Sequence, residues 1–168
     1  SISNFYNSSK TNLLSSIKII DYCSNNNIPL VYASSSAVYG SLSYGNDLSM
    51  DIDLISPYAA DKYSLEVYTK MAHNVYGLSN IGLRFFNVYG PRQDPSNPYS
   101  GVISIFIDRL LAKKNIRING GKQTRDFIYV SDIAYSIYQA LITCKEKKIN
   151  STINILTGKS ISINELAD

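Results

Sequence analysis

The sequence is poor in the residues from which most metal and hydrolytic sites are built. Its 168 residues include one histidine, His73, and two cysteines, Cys23 and Cys144. A single imidazole leaves no multi-histidine metal site and little on which to build a Ser–His pair. The two cysteines lie far apart, show no metal-ligand spacing, and read as buried free thiols in a reducing cytoplasm. No apolar run approaches the length of a membrane span. The polar opening SISNFYNSSKTNLL is no signal peptide and carries no initiator methionine, so the chain reads as a piece of a longer protein. Dense charge is scarce too: KEKK at 145–148 is the one compact run and reads as a solvated helix end. A net charge of only +3 argues against a nucleic-acid partner and leaves room for a small anionic ligand.

What is present is alternation. A 45% hydrophobic content suits one globular domain. A helix is expected from about residue 11 through LLSSIKIIDYCSNNN, stopped by its asparagines. IPLVYAS (28–34) reads as a strand buried on both faces, and DLSMDIDLIS as irregular chain. SPYAADKYSLEVYTKMAHNVYG (56–77) reads as a long helix, with proline at its start and glycine at its close. NIGLRFF (80–86) reads as a second buried strand, and Gly90–Gly101 as a loop. VISIFIDRLLAKK follows as a helix, then IRING and RDFIYV as strands. SDIAYSIYQALITC is a helix that Ser131 and Asp132 can cap. STINILTGKS is a strand plus turn, and Ser162 and Glu165 form a capping box for a last helix. Alternation of this kind predicts an α/β fold with a doubly wound parallel sheet.

In such sheets ligands sit at the carboxyl ends of the strands. Ser34 and Ser35 end the first strand and Asn87 follows the second; between them the long helix carries Tyr58 and Lys62. Residues four apart share a helix face, so phenol and ammonium can be aimed at one spot. A free tyrosine is a poor base at neutral pH, and a nearby cation favours its phenolate. Bringing such a phenol into the neutral range takes about 4 kcal/mol of differential stabilisation. Taken singly, the tyrosine–lysine pair is an ordinary surface pair in a chain with 14 tyrosines, SSS is a loop, and Asn87 is a turn residue. In this order, on strand ends and on a crossover helix, they read as a general base, its cation and a hydroxyl that steadies the substrate.

The order resembles that of the extended short-chain dehydrogenase/reductases that act on nucleotide sugars. VYASSSAVYG is similar to the family's serine-rich strand end, and SPYAADKYSLEVY to its Tyr-x-x-x-Lys helix. GLRFFNVYGPRQ resembles the segment that holds the nucleotide diphosphate, and TRDFIYVSDIA a later strand and helix carrying a phosphate-binding arginine. INILTGKSISINELAD resembles the C-terminal segment of the substrate domain. The resemblance implies a partial Rossmann-like fold: residues 1–90 mainly the C-terminal half of the NAD-binding domain, residues 91–168 mainly nucleotide-sugar-binding, with the chain crossing between them. It implies Tyr58 as catalytic base and acid, and Lys62 as the residue that holds the nicotinamide ribose and favours the phenolate. Ser35 falls at the catalytic Ser/Thr, with Ser34 beside it, and Phe86 would pack near the nicotinamide. Asn87 would touch the sugar-nucleotide phosphate and Arg125 the diphosphate or ribose of the nucleotide, while Val102, Ile118 and Asn119 would line its base. The implied cofactor is NAD, the substrate a UDP-hexose, and the assembly a homodimer through the Tyr-x-x-x-Lys helix, to which Leu65, Val67, Tyr68 and Met71 could contribute.

Dehydratases of the family carry carboxylates just after the active Ser/Thr, where this chain has Ser36 and Ala37. That favours C4 epimerisation of UDP-glucose or UDP-N-acetylglucosamine, for the supply of surface-polysaccharide sugars, over dehydration. DYCSNNNIPLVYASSSAVYG is also similar to heptose 6-epimerases, which stay as a rival subclass. The family's Gly-rich dinucleotide loop is not in these 168 residues, so most of the NAD site is expected upstream of Ser1. An inactive remnant of such an enzyme therefore stands as the alternative; a non-catalytic sensor is disfavoured by the intact Tyr58/Lys62 pair.

Overall fold

The computed structural model describes residues 4–42, 45–49, 51–97 and 99–168. The chain forms two compact units, Ser1–Phe85 with Tyr135–Asn154, and Phe86–Ala134 with Ile155–Asp168.

The first unit opens with one helical path. Helix α1 (Phe5–Ser9) passes through a π-helical turn, Lys10–Leu14, into α2 (Ser15–Asn25). The helix thus starts earlier than its apolar spacing suggests. The Asn4 side chain caps it by accepting from the Asn7 N–H at 3.2 Å, and the widened turn breaks the 3.6-residue rhythm. The asparagine run does stop it: Asn27 adopts φ 54°, a left-handed conformation that asparagine tolerates.

Strand β1 (Leu30–Ser35) pairs in parallel with β2 (Asn80–Phe85), Ser34 standing opposite Arg84. The sheet order is β1-β2-β5, with β5 spanning Asn150–Ile155. Strand β2 lies between the other two and is buried almost throughout. β1 is largely half-buried, not enclosed on both faces, because it ends the order and keeps one edge unpaired within this sheet.

Helix α3 (Pro57–Tyr76) is built as its termini foretell. The Ser56 Oγ accepts from the Ala59 N–H at 3.1 Å and Pro57 occupies the first turn. Gly77, at φ 73°, turns left-handed and donates to the His73 carbonyl at 2.9 Å. Leu65 and Ala72 pack with Ile20, Cys23 and Leu78 in the core. Leu65 is therefore a core residue, whereas Val67, Tyr68 and Met71 are exposed. Both cysteines are free and buried.

The second unit holds β3 (Asn87–Tyr89), α4 (Val102–Leu111), β4 (Thr124–Tyr129), β6 (Ser160–Ser162) and α6 (Ile163–Ala167). β4 is central, parallel to β3 and antiparallel to β6. Both edges of β4 are thereby taken. The IRING segment, which alternates like a strand, finds no ladder on it and runs as irregular chain. The capping box of Ser162 and Glu165 is present. Helix α5 (Val130–Glu146) begins directly out of β4, so Ser131 and Asp132 stand in its first turn instead of at the cap. No helix among the described residues is long and apolar enough to cross a membrane.

Candidate functional site

In the first unit, the first two turns of α3 carry Tyr58 and Lys62 beside the end of β1. The Lys62 ammonium lies 5.7 Å from the centroid of the Tyr58 ring, and its Nζ donates to the Ala33 carbonyl at 2.9 Å. Burial pushes the ammonium below the usual lysine range, and the neighbouring Asp61 carboxylate partly restores it. Tyr58 stays 37% exposed, open to an incoming group. Ser35 is half-buried; its Oγ accepts from the Ala37 N–H at 3.1 Å and so starts the 3₁₀ turn Ser36–Tyr39. That bond leaves the Ser35 hydroxyl hydrogen to be given elsewhere.

Ser34 has the opposite fate. Neighbouring strand residues face opposite sides. Ser34 is 2% exposed and donates to Glu66 Oε1 at 2.5 Å, so it belongs to an interior network. Glu66 also receives Arg84, Nε to Oε1 at 2.9 Å and Nη2 to Oε2 at 2.6 Å. Arg84 Nη1 donates to the Tyr39 hydroxyl at 2.7 Å, which in turn donates to Asn154 Oδ1 at 2.7 Å. Burial opposes the Arg84 charge, but its bonds to Glu66 and Tyr39 more than offset this and hold the guanidinium above its ordinary value. Glu66 and Arg84 were not singled out from the sequence; the spacing of Glu66, one turn beyond Lys62, was a signal for the first, whereas the place of Arg84 opposite Ser34 comes only from the strand register.

The second unit contains a cavity of about 660 Å³, within the range of small-ligand sites. Four expected residues line it side by side with Asn87: Val102, Ile118, Asn119 and Arg125. The Asn87 amide donates to the Asp126 carbonyl at 3.0 Å, which fixes the side chain on the wall. Phe86, at the start of this unit, is half-buried and donates its N–H to the Ile155 carbonyl at 3.3 Å.

Two further arginines line the same space and were missed, Arg109 and Arg117. Arg109 is seven residues from Val102, hence on one helix face with it, and Arg117 adjoins Ile118. Among the described residues no aspartate or glutamate lines the cavity. Three guanidiniums without a counter-carboxylate favour an anion, above all one with phosphate oxygens. The Oε1 atom of Gln93, also on the wall, is buried and has no partner among the described residues.

The family described as "NAD dependent epimerase/dehydratase family" matches residues 3–155. A putative UDP-glucose 4-epimerase of Methanocaldococcus jannaschii is 44% identical over 161 residues, covering 94% of this chain and 51% of the relative. Among solved structures, a UDP-N-acetylglucosamine 4-epimerase from Methanobrevibacter ruminantium in complex with UDP-N-acetylmuramic acid superposes with a TM-score of 0.93 at 41% identity. It covers 99% of this chain and 54% of that one. A UDP-glucose 4-epimerase of Thermus thermophilus in complex with NAD superposes at 0.78 and 32% identity, over 93% and 51% of the two chains. The chain thus spans about half the length of the relatives it matches.

Proposed function

The chain belongs to the NAD dependent epimerase/dehydratase family, and on that premise we propose that the protein inverts C4 of a UDP-hexose, UDP-glucose/UDP-galactose or their N-acetyl forms, through a transient 4-ketone. The observation that carries this reading is the Lys62 ammonium, partly desolvated, anchored on the Ala33 carbonyl beside Tyr58.

Tyr58 takes the proton from the C4 hydroxyl and later returns it. Lys62 favours the phenolate during that exchange. The Ser35 hydroxyl donates to the substrate oxygen as charge builds on it. NAD, when bound beside Lys62, would supply the reversible hydride chemistry that the side chains lack. Lys62 fits that cofactor: one of its three N–H donors goes to Ala33, and the others suit ribose hydroxyls. On this reading Tyr58, Lys62 and Ser35 of the first unit face the nicotinamide end of the NAD, Phe86 of the second unit serves the same cofactor, and the second unit's cavity binds the UDP moiety. Asn87 and Arg125 take phosphate oxygens, with Arg109 and Arg117 beside them. Val102, Ile118 and Asn119 line the base.

Ser36 and Ala37 support epimerisation over dehydration, because neither provides an acid to expel water. The exposed Val67, Tyr68 and Met71 on α3 support a homodimer through that helix. The test is chromatography of the products from a panel of nucleotide sugars, with Tyr58→Phe alongside. Interconversion of C4 epimers by the full-length protein, reduced at least about 100-fold in its Tyr58→Phe variant, is expected; an unreduced rate in that variant refutes the mechanism.

A further inference from the structure

Helix α3 grips strand β1 with a stripe of polar side chains. Lys62, Glu66 and Thr69 stand on one face, each a turn beyond the last. Lys62 reaches the Ala33 carbonyl at 2.9 Å, Glu66 receives the Ser34 hydroxyl at 2.5 Å, and the Thr69 hydroxyl meets that of Tyr32 at 2.9 Å. Tyr58 heads the same stripe, one turn before Lys62. The middle link is the strongest: Glu66 is bound at the same time by both forks of Arg84, from the strand next to β1. Glu66 and Arg84 are 8% and 6% exposed.

Resting on the function proposed above, we infer that the Glu66–Arg84 pair is a positioning device: it locks α3 in register on β1 and so sets Tyr58 and Lys62 against Ser35.

An interior ion pair is a poor way to gain stability. Its desolvation roughly cancels its attraction, and apolar residues of like volume often serve as well. The apolar part of this contact, Leu65 and Ala72, is already in place. What apolar side chains lack is direction. They tolerate a small slide along the helix axis, whereas hydrogen bonds of 2.5–2.9 Å at a shared carboxylate do not. Each residue of helix spans ~1.5 Å, and a misplacement of ~1 Å at reacting groups lowers a rate by about 100-fold. Arg84 carries the lock further, through Tyr39 to Asn154 on β5, so all three strands of the sheet are tied to one carboxylate. Neither Glu66 nor Arg84 needs to touch substrate.

The experiment compares wild type, Ser34→Ala, Glu66→Gln, the double variant Glu66→Leu/Arg84→Met and Tyr58→Phe by kcat, KM, Tm and the titration of the Lys62 ε-carbon in NMR. Glu66→Gln is expected to lose about 100-fold in kcat with KM little changed. The double variant is expected to regain Tm and not kcat. Ser34→Ala, which removes one small group, should keep Tm and lose about tenfold in kcat. In Glu66→Gln, Lys62 should titrate higher, toward its ordinary range, as the stripe loosens. Removal of a nearby anion by itself would move it lower, so the sign separates repositioning from charge. Wild-type kcat in Ser34→Ala, or in a double variant of native Tm, overturns the inference. So does a Lys62 titration that is unmoved or lower in Glu66→Gln, a result readable without turnover. A failure of the proposed function looks different: no epimerisation by wild type, or none lost in Tyr58→Phe.

Discussion

Arg125→Ala gives the most direct test of the cavity in the second unit. Arg125 stands on β4 opposite Ile161, largely exposed, and its Nη1 donates to the Thr124 carbonyl at 2.8 Å. Of its five N–H donors, one is so engaged, and enough remain for a bidentate phosphate contact. A hydrogen bond to a charged group contributes about 1.5–3 kcal/mol. Solvent reaches this side chain and Arg109 and Arg117 line the same cavity, so the lower part of that range applies. About 2 kcal/mol corresponds to roughly 30-fold in affinity. Titration calorimetry of UDP should show that loss in Arg125→Ala, and a smaller one in Arg125→Lys, which keeps the charge but not the fork. Rising salt should weaken UDP binding in the wild type and weaken it less in the variant, because part of the screened attraction is gone. Uridine, without phosphates, should bind far more weakly than UDP. Affinity for UDP within twofold of wild type in Arg125→Ala, Arg109→Ala and Arg117→Ala alike would refute the electrostatic reading of the cavity.

Two further outcomes concern the scaffold. Gly40 adopts φ 53°, and a Cβ there would strike the Asp53 carbonyl, so Gly40→Ala should destabilise by about 2 kcal/mol; a calorimetric Tm lowered by about 5 °C is expected, and an unchanged Tm contradicts the packing of this turn. Burial raises the thiols of Cys23 and Cys144 above their ordinary 9.0 and the Tyr32 phenol above 10.0. The folded state then holds those protons more tightly than the unfolded one, so stability is whole below pH 9 and falls as pH climbs past it. Lys62, lowered by burial, works the other way over part of that window and tempers the fall. Thermal melts from pH 8 to 10.5 should decline, and both thiols should resist a disulfide reagent in the native state; a flat or rising Tm would count against this assignment.

Much of the scaffold was legible because its signals are local. Ser56, Pro57 and Gly77 bound α3 through backbone rules that need no partner, and the box of Ser162 and Glu165 closes within three residues. The pairing of Tyr58 with Lys62 follows from helical spacing, and their nearness to β1 from the alternation of elements. Where long-range partners decide, the sequence was a weaker guide. IRING has a strand's pattern, yet it joins no sheet among the described residues, because a strand needs a partner edge brought alongside and β4 already has β3 and β6 as neighbours. The helix start near Phe5 was hidden by a π turn that breaks the periodicity.

The site divides along the same line. The amino-acid order alone determined which chemistry is available, a phenol, an ammonium and a hydroxyl at a strand end, because residue type and spacing settle what can donate or accept a proton. Tertiary structure decided which of two adjacent serines keeps a hydrogen to give. Ser35 is left with a hydrogen to give, while the β-pleat turns Ser34 inward onto Glu66. It also decided that Arg109 and Arg117 join Arg125 around one cavity. Those arginines come from a helix, a loop and a strand, and only the packing of the three brings their charges within reach of a single anion.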